Sequence, residues 1–204
     1  MIKIINLFFG YITFIIAFVT IRLSNQLRNK YKFIEISIHQ SLLNNNQISR
    51  QLINSVINIE DIRFFTHFGV DFYSIVRSIK NLLIKGRIEG ASTISQQLLR
   101  TISNDRELSL KRKIIEILIS TLISKKFTKN EILIAYFETY NFNNCIGISN
   151  LCKIDSYDLN NLTDIENAQL AARFKHPSIN ERNYLKYLKR VRIIEIKNYA
   201  QQLV

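Results

Sequence analysis

Residues 4–21, IINLFFGYITFIIAFVTI, run for 18 positions without a formal charge, close to the roughly 20 apolar residues that a bilayer-crossing helix needs. The run is long for the apolar part of a cleaved signal peptide, and no small-x-small pattern follows it. Residues 1–23 are therefore expected to form a transmembrane anchor. Polarity rises over residues 24–47, which read as a linker or membrane-proximal segment. In ISRQLINSVINIED, Ile48, Leu52, Val56 and Ile57 recur at helical spacing and lead straight to Glu60 and Asp61, which places two acids at a helix end. DFYSIVRSIKNLLIKG reads as the next helix, with Gly86 as its stop signal. Gly90 and Ala91 then lead into Ser92 and Thr93, both good N-cap residues, before the apolar pattern resumes. Such a start presents backbone N–H groups in a geometry suited to anions.

A long helix is predicted from Arg106 to about Phe127, with Arg112, Glu116, Ser120 and Ser124 forming a polar stripe at every fourth position. KNEILIAYFETYN follows Thr128, and LTDIENAQLAARF opens on Thr163 with Glu166 three residues on, a capping box. His176, Pro177 and Ser178 end that helix, and a basic helical segment fills 181–204. Nothing in the pattern calls for a sheet. Composition agrees: 47% of residues are apolar, with five glycines, one proline and no tryptophan, which favours helices over a turn-rich β architecture.

A net charge of +12 points to an anionic partner surface: nucleic acid, phosphorylated lipid or a membrane face. Lys3 precedes the apolar run while Arg22, Arg28, Lys30 and Lys32 follow it, a bias that by itself would keep the C-terminal side in the cytoplasm. Cys145 and Cys152 lack the paired histidine spacing of a zinc site. A disulfide is one reading; two small buried residues is the favoured one.

Taken singly, the chemistry-bearing residues have ordinary explanations. Glu60 and Asp61 could cap or solvate a helix end, with Arg63 as a surface partner. GASTISQQLL could be an N-cap and a polar first turn. Arg112 and Glu116 could be an i,i+4 pair contributing a few tenths of a kcal/mol, in the less favourable base-before-acid order.

In order, however, EDIRFFTHFGVD, GASTISQQLLR, KRKIIE and TKNEILIAYFE resemble the family 51 glycosyltransferases, peptidoglycan polymerases found alone or fused to penicillin-binding domains. Glu60, Asp61, Phe64, His67 and Gly69 match the first motif, with Asp71 also in place. Gly90, Ala91, Ser92, Thr93, Gln96, Gln97 and Leu98 match the second, with Arg100 where the family has Lys or Arg. Arg112, Lys113 and Glu116 match the third. The likeness runs from about residue 48 to 180. It implies an all-α, lysozyme-like transglycosylase domain over 48–204 behind a single N-terminal transmembrane helix.

The implied reaction is inverting: a sugar 4-hydroxyl attacks the anomeric carbon of a lipid-pyrophosphate-linked disaccharide-peptide (lipid II), giving a β-1,4 bond. Such a step needs a base for the hydroxyl proton and positive charge for the departing pyrophosphate. By resemblance Glu60 is the base, kept basic by apolar surroundings from Phe64, Phe65 and Phe68, and Asp61 orients its loop. Arg100, Arg112 and Lys113 form a phosphate clamp. Glu116 is the second acid, holding those cations or helping to bind a divalent ion such as magnesium or manganese; no metal ligand is assigned with more than that. Ser92, Thr93, Gln96 and Gln97 line the cleft, and His67 is either a structural histidine or a substrate contact. The implied partners are the lipid-linked glycan, the bacterial cytoplasmic membrane and other cell-wall synthesis proteins, with no nucleic acid, and the catalytic domain lies outside that membrane.

The fourth motif departs from the family pattern. Where Ile-Leu-Glu-x-Tyr-Leu-Asn is usual, Ile132, Leu133, Ile134, Ala135, Tyr136, Phe137 and Glu138 stand, and Asn143 replaces a glycine. Leu108 occupies a position where a donor-binding basic residue is common, with Arg106 as a candidate substitute. These changes keep two alternatives in view: a non-enzymatic module that binds precursor or cell-wall partners, and a lysozyme-like hydrolase. A hydrolase has no pyrophosphate leaving group and no use for Arg112 and Lys113 at this spacing.

Overall fold

The computed structural model describes residues 2–44, 46–87, 89–105, 107–143, 145–180 and 182–202. Among them ten α-helices occur: α1 (Ile2–Leu23), α2 (Asn25–Ser41), α3 (Arg50–Glu60), α4 (Phe72–Lys85), α5 (Ile94–Ser103), α6 (Leu110–Lys126), α7 (Lys129–Thr139), α8 (Ile148–Ile154), α9 (Asp164–Lys175) and α10 (Tyr184–Gln202). An isolated antiparallel bridge between Asn141 and Ile146 is the extent of β pairing among the described residues. Contacts divide the chain into two compact units, Met1–Leu43 with Arg63–Tyr136 and Asn44–Ile62 with Phe137–Val204. Arg106 lies outside the described residues.

In the first unit, α1 is long and apolar enough to cross a membrane, with a mean hydropathy of 2.3 over its most apolar stretch. Asn6, Gly10 and Ala17 are buried on one face of it, while Phe8, Ile12, Ile15, Ile16 and Val19 remain exposed. That buried face packs against α6, α4 and α2. Residues 25–41, within the stretch read as a linker or membrane-proximal segment, are helical because Ser24 caps α2 by accepting from the Leu27 N–H and because Ile34 and Ile38 find a core. Helix α6 starts at Leu110 rather than at Arg106, since the Ser109 hydroxyl accepts from the Arg112 N–H and ends the loop there. Gly86 stops α4 in the left-handed conformation (φ 60°), as its place in the pattern requires.

In the second unit, α9 packs against α3 and α10. The capping box at Thr163 and Glu166 forms in both directions. Phe137, Tyr140, Phe142 and Phe174 cluster with ring centroids 4.8 to 5.0 Å apart. Asn143 takes up φ 56°, the conformation for which asparagine is the best substitute for glycine. Cys145 and Cys152 are buried free thiols, and burial together with Asp155 pushes Cys152 up to about 11. Helix α8, seven residues long after Gly147, is too short to carry a periodic signal of its own.

Candidate active site

The first unit gathers three cations around one acid. Thr93 caps α5, which sets Ser92 just ahead of the helix and Arg100 two turns along it. Arg112, Lys113 and Glu116 share a face of α6, and α5 packs on α6. The Glu116 side chain is 5% exposed. Its carboxylate accepts from Arg100 Nε (3.1 Å) and Nη2 (3.3 Å), from Arg112 Nη1 (2.6 Å) and from Lys113 Nζ (3.4 Å). Lys113 also donates to Ser92 Oγ (3.0 Å) and Gln96 Oε1 (2.8 Å). Burial holds the Lys113 ammonium below the usual lysine value, although Glu116 opposes that shift.

Two properties suit this cluster to an anion. Three cations against one carboxylate leave two positive charges in excess. In addition, Gln96 Nε2 and Arg112 Nε are buried donors with no acceptor among the described residues, an expensive arrangement unless a ligand supplies the missing oxygen. The same charge balance fits a divalent ion poorly, since both Glu116 oxygens already face cations. No group of three or more His, Cys, Asp or Glu that could hold a metal occurs among the described residues.

The remaining motif residues of this unit make contacts that hold the fold. Thr93 is 1% exposed: its hydroxyl accepts from the Gln96 N–H and donates to the Gly69 carbonyl at 2.6 Å. The hydroxyl expected to line the cleft thus also ties α5 to the Gly69 loop. Gln97 Oε1 accepts from the Tyr136 hydroxyl at 2.9 Å. His67 is 2% exposed, with its ring edge-on to Phe64, and its backbone carbonyl accepts from Lys129 Nζ at 2.8 Å. Gly69 has φ 75°, and a Cβ there would overlap the Ser120 carbonyl on α6, so only glycine lets this loop approach so closely. Asp71 caps α4; burial raises its pKa, but bonds from Ser74, Asn6 and Arg63 outweigh that and hold it below the usual carboxylate range.

The second unit carries Glu60 and Asp61. Glu60 is the last residue of α3 and Asp61 its C-cap, with the Asp61 N–H donating to the Ile57 carbonyl. The Glu60 side chain is 4% exposed, and Lys175 Nζ lies 3.5 Å from Oε2. Within the first unit, Phe64 and Phe68 lie under the ammonium groups of Lys129 and Lys125, and Phe65 is 61% exposed. Lys175 was missed from sequence because a basic residue in the last turn of a helix has an ordinary explanation in the helix dipole. Next to it, burial and the charges of Arg190, Lys175 and Lys186 push His176 below its usual value. Glu138, in the altered fourth motif, is 9% exposed and accepts from Asn44 (3.1 Å) and Asn46 (2.9 Å). The substitution thus has amide partners in the fold. Leu108 is 95% exposed.

A family model described as transglycosylase matches residues 29–198. The chain belongs to the transglycosylase family. Among similar proteins, penicillin-binding protein 1A of Rickettsia prowazekii is 40% identical over 139 residues, 65% of this chain and 18% of that protein. Penicillin-binding protein 1A of Clostridium tetani is 31% identical over 182 residues, 81% of this chain and 23% of that protein. Penicillin-binding protein 4 of Bacillus subtilis is 37% identical over 137 residues, 66% and 22% respectively. The transglycosylase chain spans about a fifth of the length of these relatives. The family match reaches well beyond the motifs, taking in most of α2 and most of α10.

Proposed function

We propose that this transglycosylase is a peptidoglycan glycosyltransferase that polymerises lipid II into β-1,4 glycan, releasing lipid pyrophosphate with inversion. The observation that carries the reading is the cluster of Arg100, Arg112 and Lys113 around Glu116, with its excess positive charge and its two buried donors that meet no acceptor among the described residues. A leaving pyrophosphate supplies both the charge and the oxygens. Arg112 and Arg100 offer forked N–H groups to it, and Lys113 offers a compact charge between Ser92 and Gln96. Glu116 keeps the three cations close enough to act on one group, a positioning role. No step is assigned to a metal ion.

Glu60 takes the proton from the attacking 4-hydroxyl. Its buried carboxylate lies 3.5 Å from the Lys175 ammonium, an opposite charge at the end of α3. Asp61, as the C-cap, holds the end of α3 and so the direction of Glu60. A lysozyme-like hydrolase leaves the cation cluster without a purpose, and a purely binding module leaves Glu60 without one.

We place α1 across the cytoplasmic membrane in a single pass, with the catalytic residues on the outer face where lipid-linked precursor is polymerised. Incubation of purified protein with labelled lipid-linked disaccharide precursor, followed by gel separation, tests the activity. Polymer from the wild type and none from Glu60→Gln is the expected result. Polymer that persists in that variant refutes the base assignment, and retained precursor binding without polymer favours the binding module. A topology reporter fused at residue 204 tests the orientation, and a cytoplasmic signal overturns it.

A further inference from the structure

The start of α10 builds a hollow that the chemistry at Glu60 and Glu116 leaves unused. Ile179, Asn180, Tyr184 and Leu185 line an open cavity of about 540 Å³ within the second unit, inside the range of about 300–1,000 Å³ usual for small-ligand sites. Its walls are mixed. Ile179 and Leu185 are aliphatic, Tyr184 offers a ring that is 49% exposed, and Asn180 brings an amide. These groups suit a sugar, whose C–H face packs on an aromatic ring while its hydroxyls pair with an amide.

The turn that shapes the hollow is held ready. The Asn180 N–H donates to Asn183 Oδ1 (2.9 Å), the Asn183 N–H donates to Asn180 Oδ1 (3.1 Å), and Asn183 Nδ2 donates to the Ser178 carbonyl (2.6 Å). The Tyr184 N–H donates to the Asn180 carbonyl (2.9 Å), which ties two of the lining residues together. Little ordering is left to oppose binding. Charge then selects among sugars. Residues 182–192 hold Arg182, Lys186, Lys189, Arg190 and Arg192 and no acid. Burial, and then the charges of Arg190, Lys175 and Lys186, hold His176 below its usual value, so these cations flank the residue that opens the turn. A neutral sugar makes no use of such a surface, whereas a glycan carrying carboxylates does. The reach fits as well. Lys175, the neighbour of Glu60, and Ile179 are four residues apart, at most about 14 Å of chain, and a strand of a few sugars spans that distance.

We propose that the hollow at the start of α10 is a binding subsite for acidic glycan, which holds the peptide-bearing product strand close to Glu60. Tyr184 stacks on a sugar ring, and the exposed Lys186 and Lys189 meet the carboxylates of the peptide stems. This inference rests on the glycosyltransferase reading, and the binding arm of its test separates the two.

The full chain in detergent micelles is titrated calorimetrically with two soluble probes. One is a β-1,4 tetrasaccharide of alternating N-acetylglucosamine and N-acetylmuramic acid with its peptide stems; the other is chitotetraose, which has the same linkage and no acid. Wild type is compared with Tyr184→Ala, Tyr184→Phe and the double variant Lys186→Gln with Lys189→Gln, all exposed positions at which thermal unfolding should match wild type. Wild type is expected to bind the acidic probe about tenfold more tightly than chitotetraose, a gap that added salt narrows. Tyr184→Ala should weaken the acidic probe about tenfold and Tyr184→Phe should restore it, since the ring and not the hydroxyl makes the contact. The double lysine variant should bring the two probes within about twofold of each other. In the polymerisation assay Tyr184→Ala should consume precursor at an initial rate within about twofold of wild type and make strands about threefold shorter, because weaker binding acts mainly through faster release. An acidic probe that binds no tighter than chitotetraose, or as tightly to Tyr184→Ala as to wild type, overturns the proposal, because a probe held only in the catalytic cleft is indifferent to Tyr184. Strands of unchanged length overturn the holding role. If the wild type makes no polymer, the glycosyltransferase reading fails by itself, and the titrations still decide the subsite.

Discussion

Replacing Glu116 by glutamine preserves the shape of the side chain and removes the one negative charge among three cations. The partners differ in exposure: the Arg112 side chain is 11% exposed, against 34% for Arg100 and 32% for Lys113. The buried Arg112 pair dominates, because losing one partner of a buried ion pair costs about 3–5 kcal/mol. Arg100 and Lys113 are a third exposed and screened by water, so each adds about 0.5 kcal/mol. The glutamine carbonyl still accepts one hydrogen bond, which offsets about 1 kcal/mol. The net loss is ~3–5 kcal/mol, and for a chain of this size ~2–4 °C per kcal/mol gives a fall in Tm of ~6–20 °C. Thermal unfolding of the detergent-solubilised chain, followed by circular dichroism, measures it. A second variant, Glu116→Leu with Arg112→Leu, should lose less than Glu116→Gln, since an apolar pair leaves no buried charge uncompensated. A shift under ~3 °C for Glu116→Gln, or a double variant less stable than the single one, refutes the account of a buried carboxylate held by Arg112.

Other expectations follow from single features. Because burial lowers the Lys113 pKa from 10.5, the polymerisation rate should fall on the alkaline side as the clamp loses a charge, and Lys113→Arg should move that limb to higher pH; an unmoved limb refutes the assignment. In the window between the lowered folded value and 10.5 the unfolded chain binds more protons, so this residue makes stability rise with pH there. Gly69→Ala should cost about 3 kcal/mol or more, through the overlap with the Ser120 carbonyl and the positive φ, and a Tm near wild type would contradict the close approach. Thr163→Ala removes the capping hydroxyl of α9 and should cost about 1 kcal/mol in urea unfolding. Cys145 and Cys152, buried and with raised pKa values, should resist thiol reagents at pH 8 until the chain unfolds.

Much of the helical frame was legible because its signals are local. The Thr163 and Glu166 box, the Thr93 cap, the Gly86 stop and the apolar spacing of 48–57 each involve residues within one or two turns of one another. The position of Glu60 and Asp61 at a helix end was legible for the same reason. Where the signal was weak or short, no helix was read: α2 lies in the stretch taken as a linker or membrane-proximal segment, with Ile34 and Ile38 as its buried apolar residues, and α8 has too few residues for a period. At the cation cluster, the Arg112 and Glu116 pair could be expected from i,i+4 spacing. That Arg100, sixteen residues earlier, grips the same carboxylate depends on how α5 packs on α6.

Local order along the chain thus determined the family motifs, the helices that carry them and the excess of positive charge, since spacing and capping act over a few residues. Only the tertiary structure decided which partners those groups meet. It turned Thr93 into a tie to Gly69, set Lys175 beside Glu60 and gave Glu138 two amides. Each of these joins residues from separate elements within one compact unit, and burial makes the choice of partner decisive: a polar group removed from water must be met by another, wherever in the chain that other lies.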